Sequence, residues 1–249
     1  AHPLDQTHLA AAVRYAAVVK DVVLVAAAGN LVGDSECQAN PGYDPLTPDD
    51  PRNWHHVVSV STPSWFNDYV ISVGAVDNAG AAPNKSNAAQ FSMPGPWLDI
   101  AAPGTDVISV GPDGTAVNAL PGRDGLVSVF GTSFSAAYVS GVAALVRSRF
   151  PGLSAAQVRA RLIDTAHAPP RGVDNSVGHG LVDPVAALTY ELNAPARDMT
   201  EGHREVLVIP PAPAPPDLRA HRLSWAIAGI AAAAGLAAAA LTTHRKARK

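Results

Sequence analysis

Seven apolar residues in a row, Val22-Val23-Leu24-Val25-Ala26-Ala27-Ala28, closed by Gly29-Asn30, set the tightest limit on how this chain can fold. The run is unbroken rather than alternating, Val-rich, and too short for a typical helix. It fits a strand covered on both faces, which belongs to a parallel sheet with helices on either side. The residues just before it agree. Between Thr7 and Lys20, Leu9, Val13, Ala16, Ala17 and Lys20 fall at helical spacing, and Ala12, Tyr15 and Val19 widen the stripe. This predicts an amphipathic helix docked on the sheet. A second buried strand is expected at Tyr69–Val76, and a short strand, a turn and another strand over residues 98–109. A Gly-rich, hairpin-like stretch covers 111–125 and leads into Val127-Ser128-Val129-Phe130.

The second half supplies the helices. Phe134 to Phe150 is apolar almost all round, which predicts a central buried helix ended by Pro151-Gly152. Ser154 followed by Gln157 forms a capping box for the next helix, with Val158, Leu162 and Ile163 facing inward. Gly178-His179-Gly180 reads as a turn, and Pro184–Leu188 as a short closing helix. Residues 31–66 show no sustained period. Their prolines and acids mark a long surface loop, of a length that is often functional in compact domains. One α/β domain over residues 1–193, carrying the 31–66 loop, is therefore expected. At 249 residues, 47% hydrophobic and 16% charged, the chain is long and apolar enough for such a core.

Past Asn193 the composition changes. Residues 194–222 are a tail and linker that includes the stiff spacer Ile209-Pro210-Pro211-Ala212-Pro213-Ala214-Pro215-Pro216. Residues 223–243 then carry no charge, and at helical rise they span about 31 Å, close to the hydrocarbon core of a bilayer. A buried or peripheral Ala-rich helix is the other reading. Trp225 and the flanking basic residues favour a membrane span. Arg245, Lys246, Arg248 and Lys249 outnumber Arg219 and Arg222, so residues 244–249 are expected as a basic cytoplasmic tail, with the domain outside the cell membrane. The remainder of the chain is acidic, which argues against nucleic acid as a partner. The single cysteine, Cys37, excludes an internal disulfide framework and a Cys-rich metal site. With no initiator Met and no signal-type segment ahead of Ala1-His2-Pro3, the sequence reads as the later part of something longer.

Two short motifs could carry chemistry. In Gly131-Thr132-Ser133-Phe134-Ser135-Ala136, Ser133 stands where a strand turns into a helix, beside unpaired N–H groups and the positive end of the helix dipole. An acyl-transfer nucleophile gains there, because fixed donors meet the oxyanion as it forms. A hydroxyl in that place can equally be a helix cap. Asn30, after the first strand, is either a turn residue or an amide donor to an oxyanion. The pair on neighbouring strands is more specific than either alone.

Val23–Asn30, Tyr69–Asp77, Leu98–Gly104 and Gly131–Val146 resemble, in order, the second half of subtilisin-like serine proteases (subtilases). The proline spacer, the single apolar C-terminal segment, Tyr43–Trp54 and the stretches 171–175 and 180–184 look most like mycosins, the membrane-anchored subtilases of type VII secretion systems. The resemblance implies a three-layer, parallel-sheet subtilisin-like domain, incomplete at its N-terminus. It also implies Ser133 as nucleophile, and Asn30 with the Ser133 N–H as oxyanion donors. Ala27, Ala28 and Gly29 would form one wall of the primary specificity pocket. Expected partners are a polypeptide substrate and subunits of a type VII membrane complex; no cofactor or metal is implied.

Two departures stand out. Subtilases place their Asp and His ahead of the Ser, and no Asp-Thr/Ser-Gly or His-Gly-Thr segment occurs here. The groups that would activate Ser133 are expected to precede Ala1, leaving this chain inactive by itself. His55, His56 and His179 read as loop histidines. Ala137 replaces the proline usual after the nucleophile, with little effect expected on the fold. Two rivals stay open: a non-catalytic scaffold that steadies a secretion complex, and a truncated, unstable product.

Overall fold

A computed structural model describes residues 6–32, 37–77, 88–122, 125–170 and 172–192. The linker, the apolar segment 223–243 and the basic tail lie outside them. Among the described residues no helix is long and apolar enough to cross a membrane.

The core is a parallel sheet of β1 (Leu24–Ala27), β2 (Val70–Val76) and β3 (Ile100–Pro103), in that spatial order. Leu24 pairs with Val70 and Val73 with Ile100, so the three strands run level and end at one edge. Side chains alternate across it. Val23, Val25, Ile71 and Val73 join one cluster with Val139, Val142 and Val146 of α2 (Thr132–Arg149) and Val158 and Leu162 of α3 (Ala155–Asp164). Leu24, Ala26 and Val70 face the opposite layer, against Val13 of α1 (Thr7–Arg14). Every residue of β2 is buried, which is why its sequence is continuously apolar. α4 (Pro184–Thr189), capped by Asp183 at 2.9 Å, closes the α2 side.

Several elements depart from their sequence reading. The α1 pattern continues as a π-helical turn, Tyr15–Val19, and only Val13 of α1 is buried. β1 is shorter than the apolar run and only half-buried, because it is the edge strand among the described residues. α2 is not enclosed all round: Tyr138 and Leu145 are exposed, while Ser135, Val139, Val142, Ala143 and Val146 form its buried face. Ala137 lies within an unbroken stretch of that helix, as its good helix propensity allows. The stretch after β3 is two small antiparallel ribbons. β4 (Ser109–Val110) pairs with β5 (Ala116–Val117), and β6 (Ala119–Gly122) with β7 (Gly125–Ser128).

The 31–66 loop has a topological reason to be long. Parallel strands need a connection that returns the chain to the starting end of the sheet, and here it joins β1 to β2 with no α-helix among its described residues. Its described part is built, with a 3₁₀ turn at Trp54–His56 and buried polar staples. Asn40 donates to the Ser59 and Pro94 carbonyls and accepts from the Val58 and Ser59 N–H groups. Arg52 donates to the carbonyls of Leu98 and Asp174 and to Asn175 Oδ1, and Asn175 donates back to the Pro41 and Arg52 carbonyls.

Candidate active site

The two chemistry-bearing motifs meet at the carboxyl edge of the sheet, the side on which parallel α/β folds bind ligands. Asn30 follows β1, Gly104 follows β3, and α2 begins between them. The Gly131 N–H donates to the Gly104 carbonyl at 2.8 Å, and Ser135 Oγ donates to the Ala102 carbonyl at 3.0 Å, fixing the start of α2 to the end of β3. Gly104 must be glycine for this approach, since a Cβ there would stand 2.6 Å from Ala75 Cβ and from Ser135 Oγ. Gly131 has φ 144° and ψ 153°, a conformation essentially restricted to glycine.

Thr132 joins the motifs. Its N–H donates to Asn30 Oδ1 at 3.0 Å, its hydroxyl donates to the same oxygen at 2.9 Å, and that hydroxyl accepts from the Gly29 N–H at 3.3 Å. A backbone N–H can only donate, so the amide oxygen of Asn30 must face Thr132. Its Nδ2 is then turned away, and it has no hydrogen-bond partner among the described residues; a Cβ on Gly131 would lie 3.4 Å from it. Ser133 is the second residue of α2, exposed, with its hydroxyl unpartnered among the described residues. Its N–H belongs to the first turn, where no carbonyl lies behind it. An exposed hydroxyl and, without partners among the described residues, an amide N–H₂ and a first-turn backbone N–H are thus gathered at one helix start. This arrangement can hold a developing oxyanion beside a nucleophile.

Of the residues implied as a specificity wall, Ala27 and Gly29 are half-buried and Ala28 has no exposed surface. Backbone bonds fix them: the Ala27 carbonyl accepts from Ser64 Oγ at 2.7 Å, and the Gly29 carbonyl from the Met93 N–H at 3.0 Å. A neighbouring wall was not anticipated from the sequence. The Leu31 N–H donates to the Phe91 carbonyl, and Phe91 packs on Phe130 with ring centroids 5.1 Å apart. Phe130 is the third residue before Ser133 and is partly exposed. The nearest sequence signal was its place ahead of Gly-Thr-Ser, which says nothing of a partner 39 positions back.

No histidine or carboxylate among the described residues is hydrogen-bonded to Ser133. His55 and His56 are exposed on the 3₁₀ turn, and His167 pairs with Asp183 at 2.9 Å. The His179 N–H donates to the Asp99 carbonyl; burial, then the positive charge of Arg52, holds its imidazole below the ordinary histidine value. Asp99 and Arg159 form a buried ion pair, and the Ser72 N–H also donates to Asp99. Burial pushes the Asp99 carboxyl up against the pull of Arg159. This pair staples β2, β3 and α3 together. No group of His, Cys, Asp and Glu among the described residues is placed to hold a metal ion, and Cys37 is exposed.

Comparison with known proteins agrees with the sequence motifs. A family profile described as "Subtilase family" matches residues 2–180. Mycosin-2 of Mycobacterium tuberculosis is 54% identical over 254 residues, an alignment covering 100% of this chain and 44% of that protein. The crystal structure of MycP1 from Mycobacterium smegmatis superposes with a TM-score of 0.72 at 48% identity, covering 82% of this chain and 50% of the other. A chain of an intact ESX-5 inner membrane complex superposes with a TM-score of 0.69 at 51% identity, covering 96% of this chain and 53% of that one. The chain spans about half the length of the curated relatives it matches.

Proposed function

Since the chain belongs to the subtilase family and has its subtilisin-like fold, we propose that it carries the nucleophile-bearing part of a membrane-anchored serine endopeptidase of mycosin type. Ser133 Oγ attacks a peptide carbonyl. Asn30 Nδ2 and the Ser133 N–H donate to the tetrahedral oxyanion. The wall from Ala27 to Gly29 receives the side chain ahead of the cut bond. A histidine, oriented by an aspartate, takes the Ser133 proton and returns it to the leaving amine. These two groups are supplied from outside the 249 residues, and without them Ser133 is a weak nucleophile. The observation that carries the reading is the double hydrogen bond from Thr132 to Asn30 Oδ1, which leaves the amide N–H₂ without a partner among the described residues, at the helix start that carries Ser133.

Residues 223–243 anchor the protein in the cell membrane as a single span, with the peptidase domain extracytoplasmic and residues 244–249 cytoplasmic. Its partners are then a polypeptide substrate and the subunits of a type VII secretion membrane complex. Similar chains in an intact ESX-5 inner membrane complex and in the periplasmic assembly of that complex support this placement. The same likeness favours a second reading, in which the domain steadies the complex without cutting anything.

A fluorophosphonate probe applied to membranes bearing the full-length protein separates the two. Labelling that disappears in Ser133→Ala supports catalysis. No labelling, with secretion intact in the Ser133→Ala strain, would leave the scaffold as the function and Ser133 as a helix cap.

A further inference from the structure

The loop that joins β1 to β2 ends in a cavity unrelated to the Ser133 site. It encloses about 560 Å³ and reaches Tyr69, immediately before β2, so it opens at the amino end of that strand. Ser133 lies past the carboxyl end, about 20 Å away by the rise of a seven-residue strand. Its walls are aromatic: Trp54, Trp65, Phe66 and Tyr69, all half-buried. Trp54 and Trp65 stand 5.6 Å apart at 74°, as adjoining walls of a box. Trp97, with no exposed surface, braces Trp65 from behind at 5.2 Å.

Among the described residues, three carboxylates, Asp49, Asp50 and Asp68, join these rings, with one guanidinium, that of Arg52, and the imidazole of His55. Arg52 is turned inward, donating to the Leu98 and Asp174 carbonyls and to Asn175. Asp50 accepts from the Trp54 and His55 N–H groups and so fixes the Trp54 wall. Asp49 is exposed and has no hydrogen-bond or ion-pair partner among the described residues. Electron-rich ring faces with an excess of negative charge attract cations, and a cavity of this volume takes a side-chain-sized group.

We propose that this cavity binds an organic cation, a guanidinium or alkylammonium head, seated against the cavity-lining surfaces of Trp54 and Trp65 and neutralised by Asp49. The cation comes from a basic side chain of another polypeptide or from a free polyamine. The braced walls and the stapled loop make the site preformed, and its place at the far end of the sheet makes it independent of Ser133.

The test titrates the full-length protein with N-acetylarginine amide, N-acetyllysine amide, spermidine and the neutral isostere N-acetylcitrulline amide, read by tryptophan fluorescence. Saturable binding of the cations is expected, about fivefold or more tighter than the citrulline compound, and weakened by a similar factor in Trp54→Leu. Asp49→Asn is expected to weaken it too. Because Asp49 is exposed and unpartnered, that variant keeps the fold and remains decisive if Trp54→Leu does not. An Arg-rich peptide binding more tightly than spermidine assigns the cation to a protein partner, and the reverse order to a polyamine. Equal binding of citrulline, saturation by neutral chitobiose in place of the cations, indifference to Asp49→Asn, or no saturation would overturn the proposal.

Discussion

At the scale of single residues the site turns on Thr132, which holds Asn30 by two hydrogen bonds. Thr132→Val keeps the N–H bond to Asn30 and removes both bonds of the hydroxyl, the one to Asn30 Oδ1 and the long one from the Gly29 N–H. Steady-state cleavage by the full-length protein should show kcat falling several-fold or more with KM little changed, in keeping with about 1 kcal/mol for each hydrogen bond lost. Asn30→Leu should lose far more, about 10²–10³ in kcat, the loss known for the corresponding donor of a subtilisin. If the two variants lost equally, the aiming role of Thr132 would be wrong. The places of Ser133 at a helix start and of Asn30 just after β1 were legible in the sequence because a glycine marks each turn. The bond between their motifs was not, since it joins residues 102 apart, and neither was the Phe91–Phe130 wall. Arg159 shows the same limit: a basic residue inside a capped helix reads as solvent-facing, yet it is buried against Asp99. Arg159→Met leaves that carboxylate without its counter-charge and should cost about 3–5 kcal/mol in denaturant unfolding.

At the scale of elements, helix positions followed their periodicity and caps, and the Ser154–Gln157 capping box is formed. Burial did not follow as well, because α2 and β1 show how much of an apolar segment a neighbour must cover. The long loop was legible as a loop but not as an ordered one; its staples are Asn40, Arg52 and Asn175, which no local pattern joins. Arg52→Ala removes the donors that tie it to residues 98 and 174–175, and limited proteolysis should then cut within 37–60, where the unaltered protein resists. Asp21 holds elements together in a pH-dependent way. Its carboxylate accepts from the Ala155 N–H at the start of α3 and from Arg147 of α2, and these bonds hold its carboxyl below the ordinary value. The folded form therefore favours the ionised group. The stabilisation is present above the unfolded value of about 3.9 and is lost as pH falls through the lower folded value. Asp21→Asn should be less stable at pH 7, with the difference narrowing below about pH 4 in thermal melts.

At the scale of the whole molecule, β1 is an edge strand of the parallel sheet among the described residues, beside exposed Tyr15, Val18, Val19 and Val22. Parallel sheets are normally covered on both faces, and bare edges recruit other chains. The 249-residue chain expressed alone should bind a hydrophobic dye and aggregate on heating, whereas the full-length protein melts sharply; a sharp melt of the isolated chain would contradict this. The Thr132 hydrogen bonds carry a wider consequence. They tie Asn30 to the helix start that carries Ser133 entirely within these 249 residues, while on the proposed function proton transfer comes from a part of the protein outside them. Were a protein engineer to build a split reporter on that reading, the N-terminal boundary of these 249 residues is where the cut would go: the halves would be silent apart, and turnover would report their reunion.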